Sequence, residues 1–233
     1  VKLKNIEKNT LIEAGKIIYN KDKQEIIASD KVKLTDSAKE IFIETTKIIY
    51  LTELNKIITE GKTKGRIYSK YNFETKNIIF YKDEMLLSSA DKSFIIDDEF
   101  MLFQLGSFNF EIENEFLKGT DVTIIQNSKV PPGESDNLYF KNGFFDLKNK
   151  NFRTSEAKIK LKKNIFDKLE NDPRIYGASS SQKNGITSIK KAVFTSCKKN
   201  DECPAWKLEA SEIKHDKNKK KITYDNAVLK VYN

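Results

Sequence analysis

The chain has 233 residues, 38% of them hydrophobic and 11% aromatic, which is enough apolar material for the core of one domain or at most two. Its charged fraction of 33% and formal net charge of +8 suit acidic partners such as nucleic acid, anionic lipid or a phosphorylated glycan, and also suit solvated strand faces. No run approaches the ~20 apolar residues of a membrane helix, and no signal peptide precedes the charged opening Val1-Lys2-Leu3-Lys4, so a mature or excised fragment is expected.

In chain order, the first element is "IEAGKIIY", from Ile12 to Tyr19, joined by the charged turn Asn20-Lys21-Asp22-Lys23 to "EIIAS" from Glu25. Residues 36–41 read as a short helix or a turn. The pattern then recurs as "IETTKIIY" from Ile43 with "KIITE" from Lys56, and as "FETKNIIF" from Phe73 with "EMLLS" from Glu84. The offsets are 31 and 30 residues. Residues 130–136 and 179–185 read as loops. Near the C-terminus "LEASEIKHDKNKKKITYDNAVLKV" from Leu208 aligns with the segment from Ile12, and Ile12 to Ile26 and Leu208 to Ile222 are both fourteen residues apart.

β-Branched and aromatic residues dominate these pieces, as strands require, and helical spacing is scarce. Only 4 Pro and 9 Gly interrupt them. Repeats of this size predict an all-β stack in which each unit contacts its neighbours, spanning residues 1–233 as one domain. Such a stack leaves unpaired edge strands at its two ends, ready for strand addition.

Here the sequence resembles a known family. The repeats are similar to the OstA-like units of the lipopolysaccharide-assembly family of LptA, LptC and LptD. A sharper likeness lies in "NDPRIYG" from Asn171, "AVFTSC" ending at Cys197, "PAWKLEASEIKHD" from Pro204 and "ITYDNAVLKVYN" ending at Asn233. That order resembles the stretch preceding the outer-membrane barrel in the LptD branch. The repeat likeness covers nearly all of the chain, and the sharper one about its last quarter.

The resemblance implies an open, twisted, parallel-stacked β-jellyroll on the periplasmic side of a Gram-negative outer membrane. Its interior would shield the acyl chains of lipopolysaccharide. An LptA-like bridge would join by strand addition around residues 12–19. The edge around residues 222–231 would face the family's C-terminal barrel, which an LptE-like lipoprotein accompanies. Alternation gives each strand one apolar face, so stacked faces form a trough. Its candidates are Ile12, Ile17, Ile26, Ile43, Ile48, Ile57, Phe73, Ile78, Leu208, Ile213 and Ile222, each of which ordinary core packing explains equally well.

Cys197 and Cys203 lack zinc-site spacing and leave a local disulfide open. The resemblance adds a second option, a bond from Cys197 to the barrel. His215, the single histidine, reads as a solvated turn residue beside Asp216. Neither a metal site nor a cofactor loop is present, and the runs 160–163 and 217–221 read as solvated turns rather than a nucleic-acid platform. Glu13, Glu44, Glu74 and Glu209 recur once per unit, as outward structural residues do, so no enzyme is expected. The alternatives are a soluble bridge module of the same fold, and a carbohydrate-acting or adhesive β-solenoid.

Overall fold

The computed structural model describes residues 1–5, 9–162, 172–197, 205–216, 218–219 and 221–232. They form 21 strands and, among the described residues, no helix. The fold is the expected all-β jellyroll. The chain divides into two compact units, residues 1–99 with 104–115, and residues 100–103 with 116–233.

The first unit contains β1 (Lys2–Asn5), β2 (Thr10–Glu13), β3 (Lys16–Asn20), β4 (Glu25–Asp36), β5 (Ile41–Leu51), β6 (Lys56–Glu60), β7 (Thr63–Ile67), β8 (Tyr71–Thr75), β9 (Ile79–Tyr81), β10 (Leu86–Ser89), β11 (Ser93–Ile96) and β13 (Ser107–Glu111). Strand β12 (Leu102–Leu105) lies between the two units in sequence. The second unit contains β14 (Phe116–Ile125), β15 (Asn137–Asp146), β16 (Asn151–Lys160), β17 (Arg174–Lys183), β18 (Ile186–Thr195), β19 (Trp206–Asp216), β20 (Lys221–Asp225) and β21 (Val228–Val231).

Four-residue turns set the register of the first unit. In three hairpins the pairs Tyr19–Ile26, Tyr50–Ile57 and Phe80–Leu87 lie directly opposite one another. Each turn ends on a left-handed residue, Gln24, Asn55 or Met85, with φ of 48°, 45° and 47°. The turns also stack. The N–H groups of Thr52, Lys82 and Ile112 donate to the carbonyls of Gln24, Asn55 and Met85 at 2.9, 3.0 and 2.9 Å. Turns this short join only antiparallel neighbours, so the pairing is antiparallel where parallel stacking was expected.

Strands β4 and β5 each pair with two successive strands along one edge, so the sheet branches there. β4 bends at Asp30 and Lys31, where φ is 68° and 54° and the register with β5 shifts, as at a β-bulge. In one branch Leu3, Ile12, Leu34, Ile43, Gly65, Phe73 and Ile95 form a single inward cross-strand row. In the other, Ile26, Tyr50, Ile57, Phe80, Leu87 and Phe110 do the same. Equivalent residues of the repeats therefore stack on one another, and nearly all of them are buried. Gly65 interrupts the first row because the Phe73 ring occupies the space a Cβ would need. On the outward face of the second branch Ile18, Ile27, Ile49, Ile58 and Ile79 make a further row, half-buried or exposed.

A buried ion pair closes this interior. Lys82, at the start of a turn, places Nζ 2.8 Å from Asp36 Oδ2 at the end of β4 and 2.5 Å from Thr10 Oγ1. Asp36 Oδ1 also accepts the N–H of Lys39 at 3.1 Å, so residues 36–41 begin as a capped turn rather than a helix.

The second unit is a meander in which β14 to β19 pair in order and β19 then pairs with both β20 and β21. Left-handed residues Asp121, Glu156 and Lys191 bend β14, β16 and β18 near their middles. Residues 179–183, expected to be a loop, belong to β17, and only Asn184 and Gly185 turn. Paired hydroxyls make this serine run compatible with a buried strand. Thr154 and Ser180 lie 2.9 Å apart across β16 and β17.

The N-terminal edge differs in part from expectation, and the C-terminal one agrees with it. β2 is flanked by β1 and β4, so residues 12–13 are interior, and β1 and β3 are the outer strands. At the other end β20 and β21 pair with β19 alone among the described residues.

Two stability predictions follow from this packing. Lys82→Met leaves Asp36 buried without its cation, and it should lower unfolding free energy by ~3–5 kcal/mol. Adding Asp36→Asn should recover most of that loss in chemical denaturation, whereas strictly additive losses would place the stabilising interaction elsewhere. Gly65→Ala overlaps the Phe73 ring and brings a Cβ 2.7 Å from the Phe42 carbonyl. It should cost ~1–3 kcal/mol, with part restored by Phe73→Leu in the same assay.

Candidate functional site

Inside the second unit lies a cavity of about 570 Å³ with a mainly apolar lining. That volume falls within the ~300–1,000 Å³ typical of ligand pockets. Three cross-strand rows build its walls. The first runs Leu138, Ile159, Ile175 and Phe194 over β15 to β18, and all four face the cavity. The second contributes Ile189 and Ile213, with Tyr224 beyond them on β20. The third passes from Phe152 through Gln182, Thr187 and His215 to Ile222.

Burial decreases along these rows toward the end of the unit. In the first row Ile124 and Leu138 are 5% and 8% exposed, and Leu229, which follows Leu208 on β21, is 61% exposed. Along the third, Phe145 is 2% exposed and Ile222 50%. The cavity wall therefore reaches the exposed Ile222 and Tyr224 on β20. Burial of aliphatic groups in such a space is favourable by ~0.8 kcal/mol per methylene.

Of the expected trough residues, Ile213 and Ile222 line this cavity. Leu208 is half-buried in the row of Phe194. The others lie in the first unit, where Ile12, Ile43 and Phe73 share one inward row and Ile26 and Ile57 share another. Ile48 pairs across the sheet with Ala28, which also opposes half-buried Ile17. The Ile78 carbonyl accepts the Thr59 N–H at 3.0 Å. Ile12, Ile26, Ile43, Ile48, Ile57, Phe73 and Ile78 are all buried.

His215 is exposed, as a solvated residue should be, but it does not lie in a turn. It is the penultimate residue of β19, opposite Thr187 and Ile222, and it lines the cavity. The charge around it resembles a turn in sequence, but the strand continues through it. Gln182 and Thr187 were missed with it, because the serine-rich context of β17 masks an alternating pattern.

The repeated carboxylates have a structural role. Lys2, Glu13, Lys33, Glu44, Lys64 and Glu74 form one outward cross-strand row of alternating sign. Ion pairs along it measure 2.5 Å for Lys2–Glu13, 3.2 Å for Lys33–Glu44 and 3.2 Å for Lys64–Glu74. Glu209 pairs likewise with Lys230 at 2.6 Å and Lys207 at 2.9 Å. Hydrogen bonds from Lys2, Lys62 and Lys230, respectively, hold the Glu13, Glu74 and Glu209 carboxyls below the usual carboxylate range. A general acid needs the opposite shift.

Cys197 is a half-buried free thiol, and Cys203 lies outside the described residues. Burial pushes the Cys197 thiol up. Hydrogen bonding with Thr195 and with the Trp206 and Ala205 backbone, together with the Arg174 charge, outweighs burial and lowers it overall. Lys158 and Lys160 sit 5.5 Å from the ring centres of Tyr176 and Tyr139, so these basic residues cover aromatic faces rather than leaving them open for base stacking. Lys163 and Lys217 lie outside the described residues. Among the described residues, no group of His, Cys, Asp and Glu is placed to hold a metal ion. No helix among them is long and apolar enough to cross a membrane.

No protein-family model matches this chain, and no curated protein matches it in sequence.

Proposed function

We propose that this protein is a lipid-carrying β-jellyroll that takes acyl chains of lipopolysaccharide into the interior of its second unit. The observation that carries the reading is the mainly apolar cavity of about 570 Å³ whose walls include the exposed Ile222 and Tyr224 of β20. A fully packed core has no such space, because interiors are close-packed and voids forfeit dispersion contacts. Here the space is lined mainly by aliphatic and aromatic groups, as a site for hydrocarbon requires.

The resemblance of the repeats and of the C-terminal segment to the lipopolysaccharide-assembly family supplies the rest of the reading. The protein works on the periplasmic side of the outer membrane of a Gram-negative bacterium, without catalysing a reaction. It receives lipid from an LptA-like bridge joined by strand addition at β1 or β3, which are outer strands. It passes the lipid beyond β20 and β21 toward a barrel of the LptD type with its LptE-like lipoprotein. The tightly filled rows of the first unit give that unit the role of scaffold, and the second unit holds the hydrocarbon.

The test is photo-crosslinking with lipopolysaccharide, using a photoreactive residue at Ile175 or Ile213 in the cavity and at Glu44 as an outward control. Lipid adducts at both cavity positions and none at Glu44 are expected. A folded protein that forms no adduct at either cavity position contradicts the reading and favours an adhesive or carbohydrate-acting β-solenoid.

A further inference from the structure

The hairpins of this protein repeat one cross-strand pair, and the cavity lies where that repetition fails. Tyr19 faces Ile26, Tyr50 faces Ile57, Phe80 faces Leu87 and Phe145 faces Phe152, always seven residues apart. The hairpin of β19 and β20 keeps the spacing, but His215 stands at the aromatic position opposite Ile222. In the neighbouring hairpin the corresponding row holds Gln182 and Thr187. Three polar side chains on adjacent strands thus replace the ring and aliphatic groups that fill the equivalent row elsewhere. At the positions equivalent to His215, Tyr50 and Phe80 are buried and Tyr19 is exposed, as His215 itself is while lining the cavity.

Hydrogen bonding fixes the polarity of this ledge. Thr187 Oγ1 donates to Gln182 Oε1 at 3.0 Å, and Gln182 Nε2 donates to the Lys150 carbonyl at 2.7 Å. The threonine proton and one amide proton are therefore committed. What remains to donate is the second amide N–H of Gln182 and an imidazole N–H of His215. No hydrogen-bond partner holds His215 among the described residues. Directly beside the ledge, one row deeper, Ile189 and Ile213 present only hydrocarbon.

We propose that Gln182, Thr187 and His215 are a specificity ledge that selects amphiphiles with a hydrogen-bond-accepting head of the carboxylate or acyl-ester class. The head sits at the ledge, and the aliphatic chain lies over Ile189 and Ile213. This rests on the lipid-carrying reading above and adds a chemical preference to it. Gln182 and His215 donate to the head, and Thr187 positions the Gln182 amide. An alkane of equal length offers those donors no acceptor and so forgoes the hydrogen bonds that the head makes. The departure from the repeat puts a polar group where Tyr50 and Phe80 stand in the first unit.

The experiment is isothermal titration of the full chain with lauric acid, methyl laurate and dodecane, each delivered from cyclodextrin. The wild-type protein should bind at least one carbonyl compound ~tenfold more tightly than dodecane. Equal binding of the acid and the ester identifies the carbonyl of an esterified lipid as sufficient. Binding of the acid alone assigns the ledge to free fatty carboxylate. His215→Phe, which restores the aromatic of the repeat, should abolish the preference. Because the larger ring also fills space, Thr187→Val is the second variant. It preserves shape and should weaken carbonyl binding while leaving dodecane unchanged. Equal affinity of the wild type for all three probes, or a preference that survives both variants, overturns the ledge and leaves the lipid-carrying reading intact. Failure of every probe to bind overturns both.

Discussion

The antiparallel register imposed by the four-residue hairpin turns is the constraint on which the rest of this structure depends. A turn that returns the chain after four residues, ending in a left-handed backbone, sets residues seven apart opposite each other. Once that is fixed, side-chain alternation decides what faces inward, and a slip of one residue would reverse every face. The hydrogen bonds between successive turns carry the same register from one hairpin to the next. Apolar rows then run across the strands like rungs, and charged rows such as that from Lys2 to Glu74 run along the outside.

The same frame yields a filled interior in one unit and a cavity in the other. In the first unit Tyr50, Phe80, Phe110 and Leu87 occupy one inward row and leave little for solvent to reach. Tyr71 and Phe110 add an edge-to-face contact at 5.3 Å. In the second unit the corresponding positions toward the open end are Gln182, Thr187 and His215, smaller or polar groups that do not close the space. Aromatics persist at the other end of the row, where Phe145 and Phe152 pack at 6.2 Å. The cavity thus lies where the side chains of this row depart from those of the first unit.

Much of the fold was legible in the sequence because register and repeat share one signal. Tyr19, Tyr50 and Phe80 mark the same hairpin position at offsets of 31 and 30 residues, and His215 takes that position in the aligned C-terminal segment. The pair Phe145 and Phe152 was harder to see, since "GFFDLKNKNF" keeps the spacing but little of the repeat's composition. Strand β17 was hidden for a different reason. A serine-rich run looks like a loop until its hydroxyls are seen to pair across the sheet, as Ser180 does with Thr154. The site was the least legible part. A row of buried isoleucines and a row of isoleucines lining a cavity have the same sequence, and the difference is the volume missing opposite them. Ile43 and Ile213 illustrate this, both buried, with only the second facing open space.

The central claim, that hydrocarbon enters the second unit and not another apolar surface, is tested most directly by methyl NMR of isoleucine-labelled protein titrated with an acyl amphiphile. Isoleucines report on all three candidate surfaces: the cavity at Ile159, Ile175, Ile189 and Ile213, the filled interior at Ile12, Ile43 and Ile57, and the outward row from Ile18 to Ile79. The account predicts shifts concentrated at the four cavity methyls, with the filled interior unchanged. Shifts confined to Ile18, Ile27, Ile49, Ile58 and Ile79 would contradict it and place the lipid on the outer face of the first unit.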